Sequence, residues 1–400
     1  MPASPGTSLK RTDMKNKACL GLSGLILCIL TACSGSHDNA GPQPASAVAA
    51  SKPGSLSDTK TLKIFNWSDY VDPKTIGEFE KKYGIKVTYN FYDSDETLES
   101  KILTGQSGYD IVGPSNSFVG RQIKAGAYQP LDKNQLPNWK YINPKLLDLL
   151  KDVDPDNQYA VPNYWGMNTI AVNIEKVNAA LGATPMPENS WDLVFNPEYT
   201  DKLKNCGISY MDSPVEMIPL ALHYAGKDPN SQSKDDIDIA ANIIKANRNN
   251  VQRYSSSGYI DDLARGDICV AIGFGGDLNI AKRRRLEATG KKDILVLVPT
   301  QGVSLWIDTL TIPKDAANLK NAYRYLNWIL EPQTAARNAN YVSYAPSSMP
   351  AKELIKKEYR EDNSIFPSDE ILANSYLVLP AKSDTLKYEL RLWQNLKAGK

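Results

Sequence analysis

Leu62-Lys63-Ile64-Phe65-Asn66-Trp67-Ser68-Asp69-Tyr70-Val71-Asp72-Pro73 is the stretch that decides the fold. Residues 62–65 form a short apolar run bounded by polar residues, the pattern of a β-strand. Asp72 offers an N-cap oxygen, and Pro73 suits the first helical position, where no N–H partner is needed. Ile76, Phe79 and Tyr83 follow at helical spacing, and Gly84 ends the helix. The same alternation continues downstream. Residues 85–92 read as a strand. Residues 96–104 read as a helix with Leu98 and Ile102 on one face, residues 109–112 as a strand, and residues 117–125 as a helix closed by Gly126. A β-α-β-α-β-α run of this kind argues for an α/β domain with a doubly wound sheet.

The pattern then loosens. Asp154-Pro155-Asp156-Asn157 is a turn, residues 159–165 are extended and aromatic, and 169–173 form a strand. Ser190 caps a helix beginning at Trp191. Residues 204–210 and 267–273 are apolar strands bracketing helical segments, and 292–298 is a continuous apolar run expected at a sheet centre. Residues 309–312 lead into Pro313, a helical pattern covers 319–330, and Pro332 opens another. From residue 59 the chain holds about 340 residues, enough for two domains. We expect a first lobe from 59–163 and 292–342 and a second from 164–291 and 343–400. Extended strands crossing between two such lobes leave a cleft, a preferred place for a ligand.

The first residues are processing signals rather than fold. Lys10, Arg11, Lys15 and Lys17 form a basic region, residues 20–30 an apolar one too short to span a bilayer, and Leu30-Thr31-Ala32-Cys33 a cleavage site. This resembles the bacterial lipoprotein signal, with residues 1–32 removed and Cys33 lipidated. Ordinary secretory cleavage is the alternative. Ser34, not Asp, at the next position resembles the pattern that permits outer-membrane sorting. Met14, followed by Lys15-Asn16-Lys17, is the more typical start. Residues 33–58, rich in Ser, Ala, Gly and Pro, read as a flexible tether.

Composition excludes several function classes. The formal net charge is +1 over 400 residues, and loss of residues 1–32 leaves a slight acidic excess. Nucleic acid is therefore not an expected partner. The one strong basic cluster, Lys282 to Arg285, reads as a solvated helix end. There are two histidines, His37 in the tether and His223 in an apolar helix, so neither a His-based triad nor a Cys/His metal cluster can be assembled. No metal and no cofactor are expected. Of five cysteines, Cys206 and Cys269 remain beyond the processed region and Cys33. In an exported chain this suggests one disulfide, with two buried thiols as the alternative.

The loops that follow strands share one chemistry. Trp67, Ser68, Asp69 and Tyr70 follow the first strand. Ser115 lies in Gly113-Pro114-Ser115-Asn116-Ser117, and Glu216 ends Met211-Asp212-Ser213-Pro214-Val215-Glu216. Phe274 and Asp277 lie in Phe274-Gly275-Gly276-Asp277, Trp306 and Asp308 in Trp306-Ile307-Asp308, and Tyr344 in a loop before Pro346. Aromatic faces, hydroxyls and carboxylates recur, and Lys or Arg does not. Aromatic faces and carboxylates both attract positive charge, so convergence of these loops would make a site for a small organic cation. Any single loop also reads as a strand end followed by a polar turn, and any single aromatic as core packing.

In this order, Asn-Trp-Ser-Asp-Tyr, Pro-Ser-Asn-Ser-Phe, Ser-Trp-Asp-Leu, Gly-Asp-Ile-Cys-Val-Ala-Ile-Gly and Trp-Ile-Asp resemble the polyamine-binding proteins of ABC transporters. The likeness is strongest to the putrescine branch and runs from about Leu62 to the C-terminus. The resemblance implies a two-lobed periplasmic binding protein fold, type II-like, each lobe a sheet flanked by helices, with the ligand between the lobes. It implies a polyamine ligand, an ABC permease as partner, a monomeric receptor and no catalysis. By the same resemblance Trp67 and Phe274 sandwich a methylene chain, and Trp306 adds a wall. Asp277 and Asp308 hold an ammonium. Ser68, Asp69, Tyr70 and Ser115 are polar contacts of the first lobe, Glu216 and Tyr344 contact the ligand's other polar groups, and Cys206 pairs with Cys269. Phe274 stands where that branch has Trp, and Trp306 where it has Phe, so the preferred amine stays open among putrescine, agmatine, cadaverine and longer polyamines.

The physics agrees with that chemistry. Each buried ammonium needs a carboxylate, or its desolvation costs several kcal/mol. Each aromatic face adds about 0.5–2 kcal/mol where water is excluded. A same-fold receptor for an amino acid would need an Arg for the carboxylate, and the strand-end loops contain none. A surface lipoprotein acting as polyamine sensor or adhesin remains an alternative, whereas an enzyme lacks a nucleophile–base pair.

Overall fold

A computed structural model of the protein describes residues 59–399 other than Asp69 and Asp93. The signal segment, Cys33, the tether and Asp69 lie outside the described residues. Eleven strands make one twisted sheet: β1 (Thr61–Trp67), β2 (Lys86–Tyr92), β3 (Ile111–Val112), β4 (Ala160–Asn173), β5 (Ile208–Tyr210), β6 (Arg253–Tyr254), β7 (Val270–Phe274), β8 (Ile294–Leu297), β9 (Ser304–Thr311), β10 (Ala345–Pro346) and β11 (Tyr376–Leu377). The main path runs β2-β1-β3-β9-β4-β7-β5-β6.

The opening stretch folds as its residues dictate. In β1 the buried Leu62 and Ile64 pack against Phe79, Tyr325 and Trp328. Asp72 accepts a hydrogen bond from the Lys74 amide at 3.0 Å, Pro73 begins the helix Pro73–Tyr83, and Gly84 closes it with φ 67°. The parallel trio β2-β1-β3 that results is the scaffold of the first lobe. The second has its own parallel trio, β7-β5-β6.

What joins them is the pair β4 and β9. The extended segment at 159–165 and the strand at 169–173 are one continuous, almost wholly buried strand of 14 residues. Its first half lies antiparallel to β9, from Ala160 opposite Thr311 to Asn168 opposite Ser304. Its second half lies antiparallel to β7, Asn168 opposite Phe274 and Val172 opposite Val270. β9 in turn touches β3 through Thr311 and Val112, and β11 through Ser304 and Leu305. The carboxyl ends of the two trios therefore face each other across the middle of β4 and β9. In open α/β sheets that end is where ligands bind.

Two expectations are corrected. The run at 292–298 is not central: β8 pairs only with β4, and Leu295 is 40% exposed at that edge. Its apolar character serves packing of Ile294 on one face, next to Leu278 and Ala281. It pairs with the second half of β4, residues 170–173, the half that also pairs with β7. Lys282 to Arg285 are not a helix end. They lie within the helix Gly275–Thr289 and are engaged one by one, Lys282 with Asp362, Arg283 with Ser343 and Tyr359, Arg284 with Asp261, and Arg285 with Asp293 at 2.8 Å.

Cys206 and Cys269 form a disulfide with a Cα–Cα distance of 5.5 Å and a sequence separation of 63. It ties the end of the helix Pro197–Leu203 to the start of β7. Closing a loop of that length restricts the unfolded chain by about 4 kcal/mol on the entropy model, and measured values are often smaller. Replacing both cysteines by serine is expected to lower the urea midpoint by an amount worth about 2–4 kcal/mol. An unchanged midpoint would remove the disulfide from the account of stability.

Candidate functional site

Where the strand ends meet, the side chains form an aromatic cluster. Tyr70, Tyr164, Trp306, Val342 and Tyr344 are buried together, with Trp67 and Phe274 packed against them from β1 and β7. Ring centroids lie 5.0 Å apart for Tyr70–Tyr164, 5.1 Å for Trp306–Tyr344 and 6.0 Å for Phe274–Trp306, with near-perpendicular planes. Edge-to-face packing of this kind suits the ring quadrupoles. Two glycines allow it. A Cβ at Gly166, opposite Trp306 in the ladder, would meet the indole at 2.5 Å, and a Cβ at Gly276 would meet the Tyr344 ring at 2.4 Å. Any larger residue would displace these rings.

Carboxylates surround the cluster. Asp308, on β9, accepts a hydrogen bond from the Tyr70 hydroxyl, and Ser115 forms an isolated bridge with Asp308 through the backbone. Asp277, in the first turn of the helix Gly275–Thr289, accepts from Tyr344 at 2.8 Å and Tyr259 at 2.9 Å. Glu216, in the first turn of the helix Pro214–Tyr224, accepts from Asn168 of β4. Asp95, which opens the helix Asp95–Ile102, accepts from the Ser115 amide at 3.2 Å and its hydroxyl at 2.5 Å. Asn116 then clamps the surroundings: its side chain accepts from the Ile307 amide at 2.9 Å and donates to the Val378 carbonyl at 2.6 Å.

The electrostatics are one-sided. No Lys or Arg among the described residues forms an ion pair with Asp95, Glu216 or Asp308. Burial pushes Glu216 up to about 7 against the Asn168 hydrogen bond. Asp95 is pushed up to about 7 by burial, against its Ser115 hydrogen bonds and with help from Glu96 and Glu216. Asp308 is held well above the usual carboxylate range by burial, with Asp95 and Glu216 adding to the rise. Carboxylates from both trios thus feel one another's charge in a shared interior. The indole N–H groups of Trp67 and Trp306 are buried without a hydrogen-bond partner among the described residues.

Ten of the eleven residues singled out in the sequence can be placed, Asp69 lying outside the described residues. Nine of the ten stand at this junction: Trp67, Tyr70, Ser115, Glu216, Phe274, Asp277, Trp306, Asp308 and Tyr344. Ser68 is exposed in the turn after β1. Sequence reasoning missed Asp95, Tyr164, Asn168 and Tyr259. Asp95 follows β2 and obeys the same strand-end rule, but the sequence reading starts the helix at residue 96 and does not single it out. Tyr164 and Asn168 project from the middle of a crossing strand, where only the β4–β9 register shows that they face the junction.

The chain matches the family model of the bacterial extracellular solute-binding proteins over residues 74–367. It is 44% identical to the putrescine-binding periplasmic protein SpuD of Pseudomonas aeruginosa, over 86% of this chain and 94% of that one. It is 42% identical to the putrescine-binding periplasmic protein PotF of Escherichia coli, over 89% and 96%. Among solved structures it superimposes on PotD, a spermidine/putrescine ABC transporter substrate-binding protein of Streptococcus pneumoniae, with a TM-score of 0.72 and 27% identity, over 85% of this chain and 99% of that one. The two-lobed architecture, the crossing strands and these likenesses agree, and the chain belongs to the bacterial extracellular solute-binding protein family.

Proposed function

We propose that this protein is the periplasmic receptor of a polyamine-importing ABC transporter, binding a diamine or longer polyamine between its lobes and handing it to a permease without chemical change. One observation carries the reading: carboxylates converge on an aromatic cluster, and among the described residues no Lys or Arg forms an ion pair with Asp95, Glu216 or Asp308. A polyamine supplies what such a site needs, ammonium groups for the acids and methylenes for the rings. The names of the relatives support the same class of ligand. In this reading Asp308, with Tyr70, and Asp277, with Tyr344 and Tyr259, hold one ammonium. Trp67, Phe274 and Trp306 flank the chain. Glu216, Ser115 and Asp95 face the other end, and Ser68 and Asp69 complete the first-lobe rim. The lobes close around the ligand by bending β4 and β9. Lipid on Cys33 tethers the receptor, as a monomer, to a membrane facing the periplasm.

The first test is calorimetry and thermal melting with putrescine, cadaverine, agmatine, spermidine and spermine. Binding to the folded state alone raises the melting temperature. At least one of these amines is expected to do so. Asp308→Asn and Asp277→Asn are each expected to weaken it by tenfold or more, about 1.4 kcal/mol. No heat with any of them at millimolar concentration would end the proposal.

The second test concerns the protein without ligand. Glu216 is raised from 4.5 to about 7, so the folded state holds a proton that the unfolded state has lost. Stability from that proton is full below pH 4.5 and is lost as pH rises through about 7. Glu216→Gln is therefore expected to raise the ligand-free urea midpoint at pH 8 by an amount worth up to about 3 kcal/mol, with the gain fading towards pH 4. A lower midpoint at pH 8 would show that Glu216 already has a cationic partner in the protein.

A further inference from the structure

A second pocket lies on the flank of the site. Its cavity volume is about 30 Å³, and the space reaches about 430 Å³ only when the open solvent at its mouth is counted. Its walls include Ser117, Phe118 and Arg121 of the helix Asn116–Lys124, Val215 of the helix Pro214–Tyr224, Leu379 just past β11, and Glu389 of the helix Ser383–Ala398. Glu389 is only 7% exposed, and its carboxylate has no hydrogen bond or ion pair among the described residues. Burial alone pushes it up to about 7.

Arg121 does not neutralise it. Its guanidinium is bound to Glu99 at 2.7 Å and lies over the Phe118 ring at 3.9 Å. The Arg121–Glu99 pair carries no net charge, so the pocket presents one uncompensated carboxylate beside apolar walls. Isolated buried charges of this kind are expensive in a folded chain and are concentrated at sites that use them.

The pocket shares a wall with the main site. The Ser117 hydroxyl lies 2.8 Å from that of Ser115, which donates to Asp95. Val215 precedes Glu216 in the chain. Asn116 joins β9 beside Asp308 to Val378, the neighbour of Leu379.

We propose that this pocket is an outer subsite in which Glu389 receives an additional alkylammonium group, its methylenes lying along Phe118, Val215 and Leu379. The inference rests on the polyamine reading above and extends it to the ligand's length or number. The ammonium comes either from the far end of a long polyamine already held in the main site or from a second amine molecule.

Calorimetric titration of the wild type and Glu389→Gln with putrescine, spermidine and spermine tests it. If one molecule spans both sites, the substitution weakens spermidine or spermine by tenfold or more and leaves putrescine unchanged. If the amine is separate, the wild type takes up two putrescines and the variant one. Either result supports the subsite. Equal stoichiometry and affinity in wild type and variant for all three amines overturns it while leaving the main site intact. Failure of the wild type to bind any amine overturns both readings. Glu389→Ala must repeat the pattern, and a ligand-free melting temperature no lower than wild type in either variant excludes a folding defect as its source.

Discussion

Taking a carboxylate out of water without a positive partner costs several kcal/mol, and a protein normally answers with Lys, Arg or a proton. At the junction of the two trios of strands this chain buries Asp95 and Asp308 and half-buries Glu216 without an ion pair to Lys or Arg among the described residues; Glu216 raises Asp95, and Asp95 and Glu216 together raise Asp308. Much of the surrounding structure follows from that constraint. Hydroxyls of Tyr70, Tyr344, Tyr259 and Ser115 and the amide of Asn168 are spent on holding the acids in place. These neutral donors orient a carboxylate without cancelling its charge.

The sheet explains how acids from distant parts of the chain reach one place. β4 and β9 belong to both lobes at once, so the middle of each strand is the one region that faces the carboxyl ends of both parallel trios. Tyr164, Asn168, Trp306 and Asp308 are drawn from that middle. Close approach of the backbone at Gly166 and Gly276 then lets the large rings lie against the strands and helix that carry them.

Much of this was legible before any coordinates. The alternation from Leu62 to Gly126 specified parallel β-α units, the rule that ligands meet strand carboxyl ends marked the loops that hold Trp67, Ser115, Glu216, Phe274 and Asp277, and the family resemblance singled out those residues within them. The capping of the helix Pro73–Tyr83 by Asp72 was equally local and equally readable. Long-range register was not. The apolar run containing β8 has the composition of a central strand, yet pairing with β4 alone puts it at an edge. Tyr164 and Asn168 look like ordinary alternating strand residues until β9 is laid beside them. Lys282 and Arg284 are exposed, whereas Arg285 is held by Asp293 eight residues along the chain. Asp95 was hidden because the contact that places it, with Ser115, joins separate segments of the chain.

The central claim is that the cleft acids hold protons until a cationic ligand displaces them. Titrating putrescine into the protein at pH 6.5, in two buffers of different ionisation enthalpy, measures the protons exchanged on binding. Since burial pushes Asp95 and Glu216 up to about 7 without ligand, the account predicts net release of about one to two protons per putrescine bound. Binding with no proton exchange, or with uptake, would contradict it.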